Sequence, residues 1–115
     1  MKDWSVIKAR YLQDNLPTRL GGLAANLARI KSFARREENL NAVNGLIEES
    51  KYFIEWTALA VEINKTIELV ELQIEMARWQ YNLVTLWANP QKRSTISEQA
   101  GLWSQRVLNM SGLLN

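Results

Sequence analysis

Glu68, Glu71 and Glu75 stand at spacings of three and four, so on a helix their carboxylates share one face. Three acidic groups so arranged are a donor set for a hard cation such as Mg²⁺ or Ca²⁺. Arg78 continues the same face. A solvated acidic face beside that arginine, or one paired with Arg29 and Lys31 of a neighbouring basic helix, explains the pattern without a metal. The densest basic run is Arg29, Lys31, Arg35 and Arg36, with Arg19 upstream and a second pair at Lys92 and Arg93. Phosphate groups are drawn to such clusters, so Arg29, Lys31, Arg35, Arg36, Lys92 and Arg93 are the candidate contacts for an anion or a nucleic acid. Glu37 and Glu38 follow directly, however, and the net charge is only +2, well short of a strongly basic domain.

Catalysis has little to work with. The chain contains no His and no Cys, which removes the usual general base, the thiolate nucleophile and the common soft metal ligands. It has neither a phosphate-cradling glycine loop nor a nucleophile elbow. Gly21-Gly22 precedes helical sequence but lacks the Lys and Ser/Thr of a P-loop, and reads as packing. No catalytic residue, cofactor site or metal ligand is therefore assigned, and the chain is read as a non-enzyme. Five Trp in 115 residues are a richer signal. Trp79 and Trp103 fall on apolar stripes and are expected in the core. Trp4, Trp56 and Trp87 fall at element ends, where a ring is half buried with its N–H in water. Those three are the candidate anchors of a partner interface.

The elements that carry these residues are helical throughout. Apolar residues recur at alternating steps of three and four, and the strand alternation is missing. Asp3 is a suitable N-cap for a short first helix with Trp4, Ile7 and Tyr11 on its apolar side. Pro17 fits the first turn of a second helix bearing Leu16, Leu20, Leu23, Leu27, Ile30 and Ala34. Gly21-Gly22 lies in its first turns, implying another backbone passing close there or a later start. A third helix, capped by Asn39 or Asn41, presents Leu40, Val43, Ile47, Ser50 and Ile54. It must break shortly after Trp56, because one helix over 39–88 would run about 75 Å.

The fourth helix is read as 63–88, ended by Asn89-Pro90. Ile63, Ile67, Val70, Ile74, Ala77, Tyr81 and Val84 form one seam of seven-residue period. Leu69, Leu72, Met76, Trp79, Leu83 and Leu86 form a second seam, read as lying beside the first. Either the second seam packs within the chain or it meets another chain. After a basic loop at 91–94, Thr95 to Glu98 matches a capping box for a last helix carrying Ile96, Ala100, Trp103, Val107 and Met110. Gly112 suits its C-terminal cap, with Leu113-Leu114 folding back.

Charge is segregated along the chain: residues 1–36 are net +6, residues 37–75 net −7 and residues 76–115 net +3. Basic and acidic helices lying side by side explain this most simply. No signal peptide is expected from the Met-Lys-Asp-Trp-Ser start, and no apolar run reaches membrane-spanning length, so the expected address is cytoplasmic.

The runs Glu49-Ser-Lys-Tyr-Phe-Ile-Glu-Trp-Thr-Ala58, Glu68-Leu-Val-Glu-Leu-Gln73 and Trp103-Ser-Gln-Arg-Val-Leu-Asn-Met-Ser-Gly-Leu-Leu114 resemble a group of small cyanobacterial helical proteins of unknown function. The resemblance implies a bacterial cytoplasmic setting and a break after Trp56, and it brings no activity or site residue with it. The expectation is one domain over 1–115, an all-α up-and-down bundle of four main helices plus a short N-terminal helix, with 63–88 at its centre. The functional expectation is an interaction or assembly module, a homodimer or a subunit bound to another protein, with no cofactor and no membrane. Two alternatives stand beside it: a nucleic-acid-associated regulator, and a small-molecule or cation binder within the bundle.

Overall fold

The computed structural model describes residues 2–114, and the chain is all-α. Six helices follow in order: α1 (Trp4–Leu12), α2 (Leu16–Phe33), α3 (Leu40–Thr57), α4 (Ile63–Tyr81), α5 (Leu83–Trp87) and α6 (Pro90–Ser111). Short 3₁₀ turns at Glu37–Asn39 and Ala58–Ala60 flank α3.

Local chemistry explains most boundaries. The Asp3 carboxylate accepts from the Ser5 and Val6 backbone N–H groups and from the Ser5 hydroxyl, closing the start of α1. These bonds, the Ser5 hydroxyl foremost, hold the carboxyl below its ordinary pKa. Asn15 caps α2 by accepting from Thr18 N at 2.9 Å, with Pro17 in the first turn. Arg19 then donates back to the carbonyls of Leu12 and Asp14, tying the α1–α2 corner. The expected break after Trp56 falls at Thr57, and Thr66 of α4 donates to the Ala58 carbonyl across it.

α2 and α6 form the central pair. Ser97 donates to the Lys31 carbonyl and Ser104 to the Ala24 carbonyl, at 2.7 and 2.8 Å. As α6 advances seven residues α2 retreats seven, so the helices are antiparallel and close enough for serine to reach backbone. Gly101 lies between these two contacts, and a Cβ there would come within 2.8 Å of the Lys31 side chain. α3 covers another side of α2. α4 runs antiparallel to α3: Gln73 donates to the Lys51 carbonyl, and Gln80 accepts from Lys51 Nζ while donating to Asn44. The core between them holds Leu23, Leu27, Ile30, Val43, Ile47, Ile54, Leu69, Leu72, Met76 and Val107.

α1 is pinned by aromatic rings. Tyr11 stacks on Phe53 at 4.0 Å between centroids and Trp4 leans on Tyr52 at 4.3 Å. The Tyr11 hydroxyl donates to the Arg19 carbonyl and accepts from Thr57. Its burial pushes the phenol up to about 12, against the opposing effects of Thr57 and Arg19.

Four expectations need correction. The 63–88 helix is broken at Asn82, whose side-chain amide donates to the Arg78 carbonyl and competes with the helical bond there. The resulting bend makes α5 a separate element that turns Leu83 and Trp87 inward. The last helix starts at Pro90, with Asn89 accepting from Gln91 N and Lys92 N. Thr95 is therefore not a cap: its hydroxyl donates to the Gln91 carbonyl one turn back, and the basic residues 91–93 are helical rather than looped. Gly21-Gly22 lies within α2, and the neighbour at Gly21 is a side chain, Leu113, which folds back after the left-handed Gly112. Finally, α4 is peripheral rather than central, packing mainly on α3 and more lightly on α6.

Candidate protein interface on the outer face of α4

A residue advances 100° around an α-helix, so two residues on is roughly 160° from the start, measured the short way round. Each residue of the second seam stands two after one of the first: Leu69 after Ile67, Leu72 after Val70, Met76 after Ile74, Trp79 after Ala77. The two seams are thus on opposite faces of α4, not side by side. Leu69, Leu72, Met76 and Trp79 are buried within the chain. The other seam faces outward: Ile63 is 75% exposed, Ile67 55%, Val70 42%, Ile74 50%, Tyr81 90% and, past the bend, Val84 76%.

The surface so exposed is on the order of 500 Å², near the top of the roughly 300–600 Å² expected for the largest apolar patch of a monomer. Its position follows from the topology. α3 meets α4 along the Gln73/Gln80 flank and α6 meets it along the glutamate flank, which leaves no helix for the outer face.

The two flanks differ in chemistry. On the α6 side Arg106 bridges Glu68 at 3.3 Å and Glu71 at 3.9 Å, while its guanidinium lies 3.8 Å from the Trp103 ring centroid. Glu75 turns instead to Arg78, at 4.0 Å. The three glutamates share a face as their spacing requires, but the cation between two of them is the arginine of α6. Arg29 and Lys31 of α2 are not their partners. Among the described residues no group of three His, Cys, Asp or Glu is placed to hold a metal ion. A shallow groove of about 410 Å³ continues from Glu75 over Leu102, Trp103 and Arg106.

The candidate tryptophans have different fates. Trp87 is only 3% exposed, and its indole N–H donates to the Glu37 carbonyl at 2.6 Å, so it is a core residue rather than a half-buried anchor. Trp4 and Trp56 are partly buried in the aromatic cluster that joins α1 to α3. Trp79 is buried as expected, whereas Trp103 is only partly so.

Of the basic residues, Lys31 of α2 and Arg35 in the turn after it meet Arg93 of α6 along a groove of about 330 Å³ that also holds Glu98. Arg93 is already committed to the Trp87 carbonyl at 2.6 Å. Arg29 donates to Asn26, Arg36 pairs with Glu38 at 3.9 Å, and Lys92 is exposed in the first turn of α6. None of these last three lines the groove.

No helix among the described residues is long and apolar enough to cross a membrane. The chain matches no protein-family model, no curated protein and no solved structure. What defines it is the architecture itself: a small helical bundle with one helix apolar on both faces and covered on only one.

The outer face was within reach of sequence reasoning. Its residues stand out as the most regular seam in the chain, and the two-residue offset between seams places them opposite each other. The tryptophans at element ends are not such anchors: the aromatic cluster holds Trp4 and Trp56, and the core holds Trp87.

Proposed function

We propose that this protein is a protein–protein interaction module that docks through the outer face of α4. The observation that carries the reading is the exposed seam from Ile63 to Val84, opposite one that is buried from Leu69 to Leu83. Leaving such a stripe in water forgoes roughly 25 cal/mol for each Å² of apolar surface that a partner would cover. The polar flanks suit a docking face, since they rim an apolar centre with groups that tolerate either state.

A photo-crosslinking side chain at Ile74, introduced in the producing cell, tests this. Expected are protein adducts at that site and none at Ser32, an exposed polar position on α2. Equal labelling at both sites, or no protein adduct at Ile74, overturns the reading.

A second reading has one observation in its favour: Lys31, Arg35 and Arg93 converge on one groove although 58 residues of sequence separate Arg35 from Arg93. On this reading the groove takes a phosphate-bearing ligand or nucleic acid. Binding of a labelled oligonucleotide should then weaken steeply with salt and with Arg35→Glu. Binding insensitive to both, or none, removes it.

A further inference from the structure

The geometry points to a second copy of this chain as the occupant of the α4 face, laid antiparallel so that Glu71 of each copy pairs with Arg78 of the other. This rests on the outer face of α4 being the docking surface, and it names the partner. The seam has the seven-residue period that two helices share when they pack side by side. Setting Ile74 of one copy against Ala77 of the other also sets Val70 against Tyr81, all within the unbroken length of α4. The bulky Tyr81 meets the smaller Val70, and Ile74 meets the smallest residue of the seam, as interdigitation requires.

In this register the residues immediately following Val70 and Ala77 meet across the seam. Glu71 faces Arg78 and, by two-fold symmetry, Arg78 faces Glu71. On the opposite flank Gln73 and Gln80 are engaged by Lys51 and Asn44 of α3, so orientation is chosen on the Glu71 side. Within one chain, Arg78 holds only a 4.0 Å contact with Glu75, and Glu71 is the more distant of the two carboxylates on Arg106. Both side chains are more than half exposed and available to a partner.

The competing pairings lack this match. Sliding one antiparallel copy by a heptad puts Glu71 against Glu71. A parallel pair puts Glu71 beside Thr66 and Arg78 beside Gln73, with no charge complement. Covering the face on both copies removes on the order of 1,000 Å² from water, about the lower bound for a specific interface. The apolar seam supplies the affinity, and the charges select orientation and register.

Light scattering on size-exclusion fractions at about 100 µM should give a dimer that survives high salt. Ile74→Glu should abolish it while leaving the helical circular dichroism and melting temperature of the monomer intact. Glu71→Arg or Arg78→Glu alone should weaken the dimer about 10-fold, and the two together should return it to within about 3-fold of the starting affinity.

The chain has no cysteine, so introduced thiols report without background. A mixture of Ile74→Cys and Ala77→Cys chains should form a mixed disulfide faster than either chain forms one with itself. Faster Ile74→Cys self-crosslinking, or no rescue in the charge swap, overturns the antiparallel register. A monomer at 100 µM overturns the second copy as partner. If Ile74 then still crosslinks to a different protein in cells, the docking face stands and only its occupant changes.

Discussion

α2 and α4 are built to the same apolar spacing and end in opposite situations. Leu20, Leu23, Leu27 and Ile30 of α2 are all buried between α3 and α6, whereas Ile63, Ile67, Val70, Ile74 and Tyr81 of α4 face solvent. The other side of α2 is Ala25, Ala28, Arg29 and Ser32, exposed small or charged residues that need no cover. α4 carries a second apolar stripe on its opposite face, and the bundle has helices enough for only one. Periodicity states that a stripe requires a neighbour; it does not state that the neighbour belongs to the same chain.

The strongest way to break this comparison is truncation of matched positions. Leu27→Ala, in the fully buried stripe, should cost about 2–5 kcal/mol of unfolding free energy through lost transfer energy and the cavity left behind. Ile74→Ala, measured by urea unfolding at concentrations where the chain is monomeric, should cost about 0.5 kcal/mol or less. Comparable losses at the two sites would mean that the outer face of α4 is covered within the chain.

The two tyrosines at the ends of the comparison come next. Tyr11 is buried with its phenol raised from 10.0 to about 12, so the unfolded chain loses that proton first as pH rises. Its contribution to stability is complete below pH 10 and disappears between about pH 10 and 12, amounting to about 2–3 kcal/mol across that window. Tyr11→Phe should flatten that part of the alkaline unfolding profile relative to the parent. At pH 7 it should cost about 1 kcal/mol for the hydrogen bond to the Arg19 carbonyl. Tyr81→Phe, altering a side chain almost wholly in water, should change monomer stability at pH 7 by about 0.5 kcal/mol or less. An undiminished alkaline slope in the Tyr11 variant would show that its hydroxyl is wetter than its packing implies.

Glycines give the finest contrast. A Cβ on Gly45, in the middle of α3, meets nothing within 4 Å, so Gly45→Ala should stabilise by about 0.5–1 kcal/mol in thermal or urea unfolding. Gly101→Ala, at the α2–α6 contact, has the same helix propensity to gain but must displace the Lys31 side chain at 2.8 Å. It should therefore gain less than Gly45→Ala. Equal gains would indicate that the central pair is packed no more tightly than the free side of α3.

Much of the fold was legible in the sequence because its causes are local. Asp3, Asn89-Pro90 and Gly112 mark helix ends through their own side chains or backbone, and the break after Trp56 follows from the length a small globule can hold. Where two local signals competed, the sequence reading erred. Thr95 to Glu98 has the form of a capping box, but Asn89 six residues earlier had already started the helix, leaving the Thr95 hydroxyl to bond back to Gln91. Asn82 carried no breaking signal of the Gly or Pro kind. Its amide, bonded to the Arg78 carbonyl, marks where α4 and α5 part.

The sequence by itself determined the all-α class, the helix spacing, the absence of histidine and cysteine chemistry, and the existence of two apolar seams in 63–86. Those follow from side-chain type and the 3.6-residue period, which need no knowledge of neighbours. Only the tertiary structure decided that Arg106 serves Glu68 and Glu71, that Trp87 is core, and that the outer seam of α4 is left open. Each depends on which helix lies beside which, and that is set by the competition of all helices for a core with room for one face of α4.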